Sequence, residues 1–326
     1  MRRARITGTG SFVPDKVVTN FDLEKFLDTN DEWIRTRTGI VERHLVVEGE
    51  NTSDLATKAA LRALEMAGVD PVEIDLIIVG TITGDYPWPA TACIVQNNLG
   101  AVNAGAVDVS AACSGFLYAL SMAGDRIMAG NASKVLVIGA EVLSRTLDWS
   151  DRNTCVLFGD GAGAVVLEAC EEDRGILSTH LYADGSQVEL LGQPGFGTKI
   201  PPSVEAMARG DHFLKMQGNE VFKVAVRNMS EVARIALEAN GMTVEDVDLF
   251  IPHQANVRIL DATAKRIGLR DDQVYINVDR FGNTSAATIP IALDEVVRAG
   301  RLKEGDILLL DAFGGGFTWA AALLRW

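Results

Sequence analysis

Cys113 is the side chain in this sequence best placed to act as a nucleophile. It lies in the segment 106–120, Ala-Val-Asp-Val-Ser-Ala-Ala-Cys-Ser-Gly-Phe-Leu-Tyr-Ala-Leu. The first part reads as a buried strand. From Ser114 on, Phe116, Leu120, Ala123 and Ile127 recur at helical spacing. The cysteine therefore falls where a strand hands over to a helix. Free backbone N–H groups and the positive end of the helix dipole there favour a thiolate. Ser110, Ala111, Ala112, Ser114 and Gly115 are small and leave room for a substrate. The competing reading is a buried, inert thiol.

Three further segments place chemistry where strands end. A strand over 247–251 runs into Pro252-His253-Gln254-Ala255-Asn256 and then a helix over 257–267. A strand over 274–278 runs into Asp279-Arg280-Phe281-Gly282-Asn283-Thr284-Ser285 and the next helix. A last strand, 307–310, leads to Phe313-Gly314-Gly315-Gly316-Phe317. Sites in α/β sheets collect at such strand ends. Histidine and asparagine supply N–H donors, and a glycine run leaves backbone N–H groups accessible to an oxyanion. Each feature alone also reads as a loop, cap or tight turn. Phe158-Gly-Asp-Gly-Ala-Gly163 loosely resembles a nucleotide loop. It lacks the lysine and the G-x-G-x-x-G spacing, and is expected to be a turn before a strand over 164–168.

The elements that position these residues come as a repeat. Ala63-Leu-Glu-Met-Ala-Gly68 leads into Val72-Glu-Ile-Asp-Leu-Ile-Ile78, and Ala236-Leu-Glu-Ala-Asn-Gly241 leads into Val244-Glu-Asp-Val-Asp-Leu-Phe-Ile251. The following strand, helix and Ala-Gly units match as well, at a spacing of roughly 170 residues, too long for a solenoid. The pattern predicts two similar α/β halves, 1–171 carrying the cysteine and 172–326 carrying the histidine and asparagine. No linker separates them, so they should pack closely.

The bulk numbers narrow the class. The chain has 326 residues, 30 basic and 44 acidic, for a net charge of −14. That disfavours general nucleic-acid binding but allows a local basic patch. The basic N-terminus lacks an apolar stretch behind it, and no apolar run reaches membrane length. Cys93, Cys113, Cys155 and Cys170 form no CxxC pair, and His44, His180, His212 and His253 fall in no metal-ligand spacing. The expectation is a reduced, cytoplasmic protein without a metal site or membrane contact.

Taken in order, the motifs are specific. Gly8-Thr-Gly-Ser11, Asp31-Glu-Trp-Ile34, Thr36-Arg-Thr-Gly39, Ala111-Ala-Cys-Ser-Gly115, Phe158-Gly-Asp-Gly-Ala-Gly163, Pro252-His-Gln-Ala-Asn256, Gly282-Asn-Thr-Ser285 and Phe313-Gly-Gly-Gly-Phe317 make the chain resemble the β-ketoacyl-acyl carrier protein synthase III family from end to end. The resemblance implies the thiolase fold, an α/β architecture of two pseudo-symmetric halves in five αβαβα layers, as a homodimer. It implies a Cys113-His253-Asn283 set, in place of the Cys-His-His of elongating synthases. It also implies a decarboxylative condensation between a Cys113-bound acyl group, taken from acyl-CoA such as acetyl-CoA, and malonyl-acyl carrier protein.

The same resemblance assigns further roles. Backbone N–H groups of Cys113 and Gly315 would hold an oxyanion. Trp33 and Arg152 would sandwich the CoA adenine, while Arg37 and Asn256 would meet phosphate and pantetheine. Trp88, Leu143 and Phe158 would shape the acyl pocket, Trp88 from across the dimer interface. Acyl carrier protein would dock on Arg258, Lys265 and Arg266 of the 257–267 helix and on Lys223 and Arg227 of a preceding basic helix. No tightly bound cofactor is expected; acyl-CoA is a substrate. Residues 191–212 depart from the family pattern and look long. A cysteine thioesterase would share Cys113 and His253 but would need an orienting group for the histidine and a water path. A noncatalytic carrier-binding subunit would have no use for all three residues. A synthase of secondary metabolism with another acyl primer would fit the same fold.

Overall fold

Alternation of apolar residues along the strands, period 2, gives each sheet two buried faces. Residues 2–326 are described by a computed structural model. Its first sheet joins β1 (Arg3–Phe12), β2 (Leu76–Gly80), β3 (Gly105–Val109), β4 (Lys134–Val142) and β5 (Asp160–Cys170) in the order β1-β5-β4-β2-β3. Its second joins β6 (Gly175–Ala183), β7 (Leu249–Pro252), β8 (Ile307–Gly314) and β9 (Thr318–Arg325) in the order β7-β8-β9-β6. The principal helices are α1 (Asp31–Thr38), α2 (Thr52–Ala67), α3 (Thr91–Leu99), α4 (Gly115–Met128), α5 (Gly218–Ala239), α6 (Val257–Ile267) and α7 (Thr288–Arg298).

Five layers follow from where the apolar side chains meet. Helices α2 and α3 cover one face of the first sheet, burying Leu55, Ala59 and Val95 against Ile77, Val79 and Ile138. Helices α4 and α7 lie between the sheets, with Phe116, Leu120, Ile289 and Leu293 against Ile78, Val137, Leu308 and Leu310. Helices α5 and α6 cover the far face, with Val232, Ala236 and Ile267 against Phe250, Leu309 and Leu323. Ile77 and Val79 face one way and Ile78 the other, as Leu309 does between Leu308 and Leu310.

The halves repeat each other in detail. β2 runs parallel to β3 and β4, with β5 and β1 following antiparallel. β7 runs parallel to β8, with β9 and β6 following antiparallel. Gly68 and Gly241 both adopt φ 65 after their helices. Asp75 accepts the Ser133 and Lys134 N–H groups, and Asp248 accepts that of Ile307.

Two expectations are corrected. The segment 274–278 is not a strand: Val274 forms a single parallel bridge to Phe250, where β3 stands in the first half. The Gln254 amide takes over the next backbone groups, donating to Tyr275 O at 3.1 Å and accepting from Asn277 N–H at 2.9 Å. A short helical turn, Val278–Phe281, follows. The glycines of 158–163 are also not mainly a turn, since Gly161 and Gly163 lie inside β5. A Cβ on Gly163 would sit 2.7 Å from Pro290 and Ile291, so the missing side chain lets α7 rest on the strand.

The divergent stretch pairs Leu191–Gly192 with Lys215–Met216, and carries a short helix, Val204–Ala208, between them. Among the described residues no helix is long and apolar enough to cross a membrane, and no cluster of metal-ligating side chains forms.

Candidate active site

Cys113 sits in a 3-10 turn, Ala112–Ser114, between β3 and α4. Ala112 is held at φ 46, a strained conformation for a residue with a side chain. Two glycines let other backbones reach this turn. A Cβ on Gly80 would meet Gly115 C at 2.6 Å, and one on Gly314 would meet Cys113 N at 2.6 Å. The Ser114 hydroxyl donates to Thr318 O at 3.0 Å, and the Thr318 hydroxyl to Ala111 O at 2.8 Å, tying the turn to β9.

His253 follows β7, its N–H donating to Asp311 O at 2.7 Å. Asn283 does not follow a strand. It is fixed by a parallel bridge to Phe158, with its N–H on Leu157 O at 2.8 Å and its carbonyl accepting from Gly159 N–H at 3.0 Å. Gly282, at φ 64, permits the turn before it. Asn283 Oδ1 accepts from Ser285 N–H at 2.8 Å, which leaves the Nδ2 hydrogens to donate elsewhere.

Cys113, His253, Asn283 and Gly315 line one cavity of about 990 Å³, within the range of small-molecule sites. Burial pushes the Cys113 thiol up to about 12; the Ser285 hydroxyl and the residue's own N–H pull it down, and Glu141 pushes it further up. The helix start therefore does not by itself make the thiol acidic: enclosure outweighs it. Burial pushes His253 down to about 3, so its imidazole is neutral at pH 7 with a single N–H. His253 Nδ1 lies 2.7 Å from the Thr288 hydroxyl. The same hydroxyl donates to the Ser285 carbonyl at 2.9 Å, beside the Thr288 N–H. That donation leaves Nδ1–H as the donor to Thr288 Oγ1; a hydroxyl turned toward Nδ1 instead moves the ring hydrogen to Nε2.

Leu143 and Phe158 line the cavity, as do Trp33, Arg37 and Asn256 toward its mouth. Asn256 also caps α6, accepting from Ile259 N–H at 3.0 Å. Trp88 does not line this chain's cavity and is 84% exposed. The Trp33 ring is already covered: Arg152 lies 5.1 Å and Arg37 4.6 Å from its centre, and Arg152 bonds the Asp28 carbonyl. A base stacked between Trp33 and Arg152 requires that arginine to move.

Lys223 and Arg258 reach the cavity's rim, whereas Arg227, Lys265 and Arg266 are exposed away from it. The helix carrying Lys223 and Arg227 is not basic. Glu220, Glu231 and Glu238 balance Lys223, Arg227 and Arg234, and Glu220 pairs with Lys223 at 2.8 Å. Of the divergent stretch, Leu191, Gly192 and Gln193 reach the cavity, joined by Leu214 and Met216 from the returning strand.

Sequence reasoning missed three residues: Glu141 and Ser285, which bear on the cysteine, and Thr288, which touches His253. Only Glu141 left a signal, as an acid at the end of the apolar run 135–140.

A pocket with a cysteine, a neutral imidazole and an oriented amide suits carbon–carbon bond formation on an acyl-cysteine. With two repeated halves in five layers, it defines a condensing enzyme of the thiolase fold. Residues 107–185 match the family description 3-oxoacyl-[acyl-carrier-protein] synthase III, and residues 237–326 match its C-terminal part. The chain is 57% identical to β-ketoacyl-[acyl-carrier-protein] synthase III of Xanthomonas campestris pv. campestris, over 99% of this chain and 98% of that one. It is equally similar to the protein of that name from Xylella fastidiosa, with the same coverage. The crystal structure of 3-oxoacyl-[acyl-carrier-protein] synthase III from Aquifex aeolicus VF5 superposes with a TM-score of 0.93 at 51% identity, covering 99% of this chain and 100% of that one. The chain belongs to the β-ketoacyl-[acyl-carrier-protein] synthase III family, the acyltransferases that perform the initiating condensation of fatty acid synthesis.

Proposed function

We propose that the condensation runs in two half-reactions on Cys113, with acetyl-CoA as the primer. The Cys113 sulfur attacks the acetyl thioester, the C–S bond to CoA breaks, and CoA leaves as its thiol. The Cys113 and Gly315 N–H groups hold the oxyanion of that step. Malonyl-acyl carrier protein then enters. Its carboxylate departs as carbon dioxide, and the enolate left behind receives hydrogen bonds from His253 Nε2–H and Asn283 Nδ2–H. The enolate carbon attacks the acyl carbon, the bond to Cys113 breaks, and 3-oxobutanoyl-acyl carrier protein is released.

The observation that carries this reading is the pairing of a neutral histidine with an asparagine whose oxygen is already occupied. Both line a shared cavity; with the imidazole hydrogen on Nε2 they present two donors to it, which serves an enolate rather than a hydrolytic water. No tightly bound cofactor is needed, since each bond change is supplied by the two thioesters.

In this reading Trp33, Arg37, Arg152 and Asn256 receive CoA, and Leu143 and Phe158 contact the acyl chain. Arg258 and Lys223 at the rim, with Arg227, Lys265 and Arg266, meet the acidic carrier protein. The chain works as a homodimer in the cytoplasm. Strand β3 is a sheet edge with Val107 exposed, and Ile82, Tyr86 and Trp88 are exposed in the loop after the neighbouring strand. A second copy would cover these groups and receive Trp88 at the end of its acyl pocket.

One experiment tests the assignment. Acetyl-CoA followed by malonyl-acyl carrier protein is read by intact mass. Cys113→Ala should take up no acetyl group. His253→Ala and Asn283→Ala should acetylate but lose roughly 100- to 1000-fold in decarboxylation and condensation. Acetyl labelling at Cys93, Cys155 or Cys170, or normal decarboxylation by both donor variants, would overturn it.

A further inference from the structure

Arg43 is a cation sealed inside the protein, and neither half-reaction uses it. It lies on the short strand Glu42–His44, which pairs with Val17–Thr19, and it is fully buried. Its guanidinium donates to three neutral oxygens: Val18 O at 3.1 Å, Asn20 Oδ1 at 2.9 Å and Val156 O at 2.8 Å. Glu42 and Asp22 act on it only through space, and burial pulls it down to about 10, so it stays charged at pH 7. A buried charge without a carboxylate partner is costly to fold around. Its two terminal nitrogens nonetheless bind two separate segments at once, a reach that the point charge of a lysine lacks.

The segments it joins converge on Asn283. Val156, Leu157 and Phe158 form one wall of the cavity. Asn283 hangs on that wall by its bonds to Leu157 O and Gly159 N–H. The Arg43 stem fills the space behind this bridge: a Cβ on Gly159 would stand 3.2 Å from Arg43 Cβ, and one on Gly282 3.3 Å from it. Two residues before Arg43, the Val41 N–H donates to Asp279 O at 2.8 Å and holds the turn that leads to Asn283. On the far side, Asn20 donates to Ile40 O at 2.8 Å and to Asp31 Oδ1 at 2.9 Å, so the guanidinium is itself anchored to the start of α1.

We propose that Arg43 is a positioning residue for the condensation: by holding the Val156 carbonyl and backing Gly159 and Gly282, it sets where the Asn283 amide meets the malonyl-derived enolate. Arg43 does not line the cavity, so it acts through Asn283 and not on the substrate. The Ser285 N–H on Asn283 Oδ1, at 2.8 Å, is a separate restraint. It turns the amide, whereas the wall that Arg43 braces fixes the backbone from which the amide projects. This rests on the reading of Asn283 as an enolate donor. Acylation of Cys113 does not use that donor, so the two half-reactions should respond differently.

The test separates the half-reactions. Carbon dioxide release from saturating malonyl-acyl carrier protein reports the step that needs Asn283; acetylation of Cys113 by acetyl-CoA, followed by intact mass, reports the step that does not. Arg43→Lys should slow decarboxylation about 100-fold, the cost of misplacing a group by about 1 Å, and keep acetylation within about threefold of wild type. In an Asn283→Ala background the same substitution should add nothing, because the amide it positions is gone. Arg43→Met removes the buried charge together with its hydrogen bonds, and carries the test if the lysine variant unfolds. Circular dichroism and thermal melting establish the fold of each. A folded Arg43 variant that decarboxylates at the wild-type rate, loses both half-reactions equally, or further slows Asn283→Ala would overturn the inference. Unfolding of both variants overturns it too, since Arg43 then serves the fold as a whole. If Asn283→Ala alone decarboxylates normally, the reading of Asn283 fails, and the role of Arg43 with it.

Discussion

A methyl group added at Gly314 tests whether the oxyanion site depends on backbone touching backbone. The new Cβ would lie 2.6 Å from Cys113 N, 3.1 Å from its Cβ and 3.2 Å from its Cα. Ordinary contact begins near 3.4 Å, so the two backbones must part by about 0.8 Å. Neither has slack. Gly314 ends a ladder paired on β9, and the cysteine turn is pinned to Thr318 by two hydrogen bonds. Displacing a reacting atom by about 1 Å costs on the order of 100-fold in rate, and overpacking costs about 1–3 kcal/mol of stability. Gly314→Ala should therefore form the acetyl adduct on Cys113 about 100-fold more slowly, with a lowered melting temperature. Gly185→Ala is the control, because a Cβ there meets nothing within 4 Å and its φ is ordinary. Acetylation by Gly314→Ala within about threefold of wild type, at an unchanged melting temperature, would refute the argument.

Charge reversal at Arg258 and Lys265 together should weaken acyl carrier protein binding, most visibly at low salt, while self-acylation by acetyl-CoA continues. Calorimetric titration at two salt concentrations checks this, and unchanged affinity rejects the docking face. Trp88→Ala should relax primer selection. If the indole enters a partner's acyl pocket, overlap with long chains costs about 1–3 kcal/mol, or roughly 5- to 200-fold. Acylation rates with two- to twelve-carbon acyl-CoAs, on a variant verified as dimeric, decide it. An unaltered preference means that the indole only anchors the interface.

The sequence made the layered fold legible because its two halves repeat the same grammar: a helix closed by glycine, a short acidic turn, an apolar strand. The positions of Cys113 and His253 were legible for the same reason, since both follow strands in sequence as in space. Asn283 does line the cavity with Cys113 and His253, but the premise that pointed to it was wrong. The strand expected before it is one bridge and a helical turn, because the Gln254 side chain satisfies the backbone that a ladder would have paired. Side-chain substitution for a ladder leaves no periodic trace. The glycines of β5 read as a loop because their reason is a helix that arrives more than a hundred residues later. The basic docking helix dissolved for a similar cause: spacing picks out Lys223 and Arg227, but not the glutamates that balance them. The acidity expected of Cys113 was also set by tertiary burial, which a helix start alone does not report.

The close approaches at Gly80, Gly139 and Gly314 divide the molecule into two materials. Around the reacting atoms, main chain meets main chain: a Cβ on Gly139 would stand 2.2 Å from Ala286 O. Nothing there can be retuned by trading one side chain for another. The lining we propose for the acyl chain is different: Leu143, Phe158, Leu191, Leu214 and Met216 are interchangeable side chains, carried partly on a hairpin. Descendants of this scaffold are thus free to explore new primers without disturbing the bond-forming step. Diversification should be confined to that soft end, with the glycine framework inherited intact.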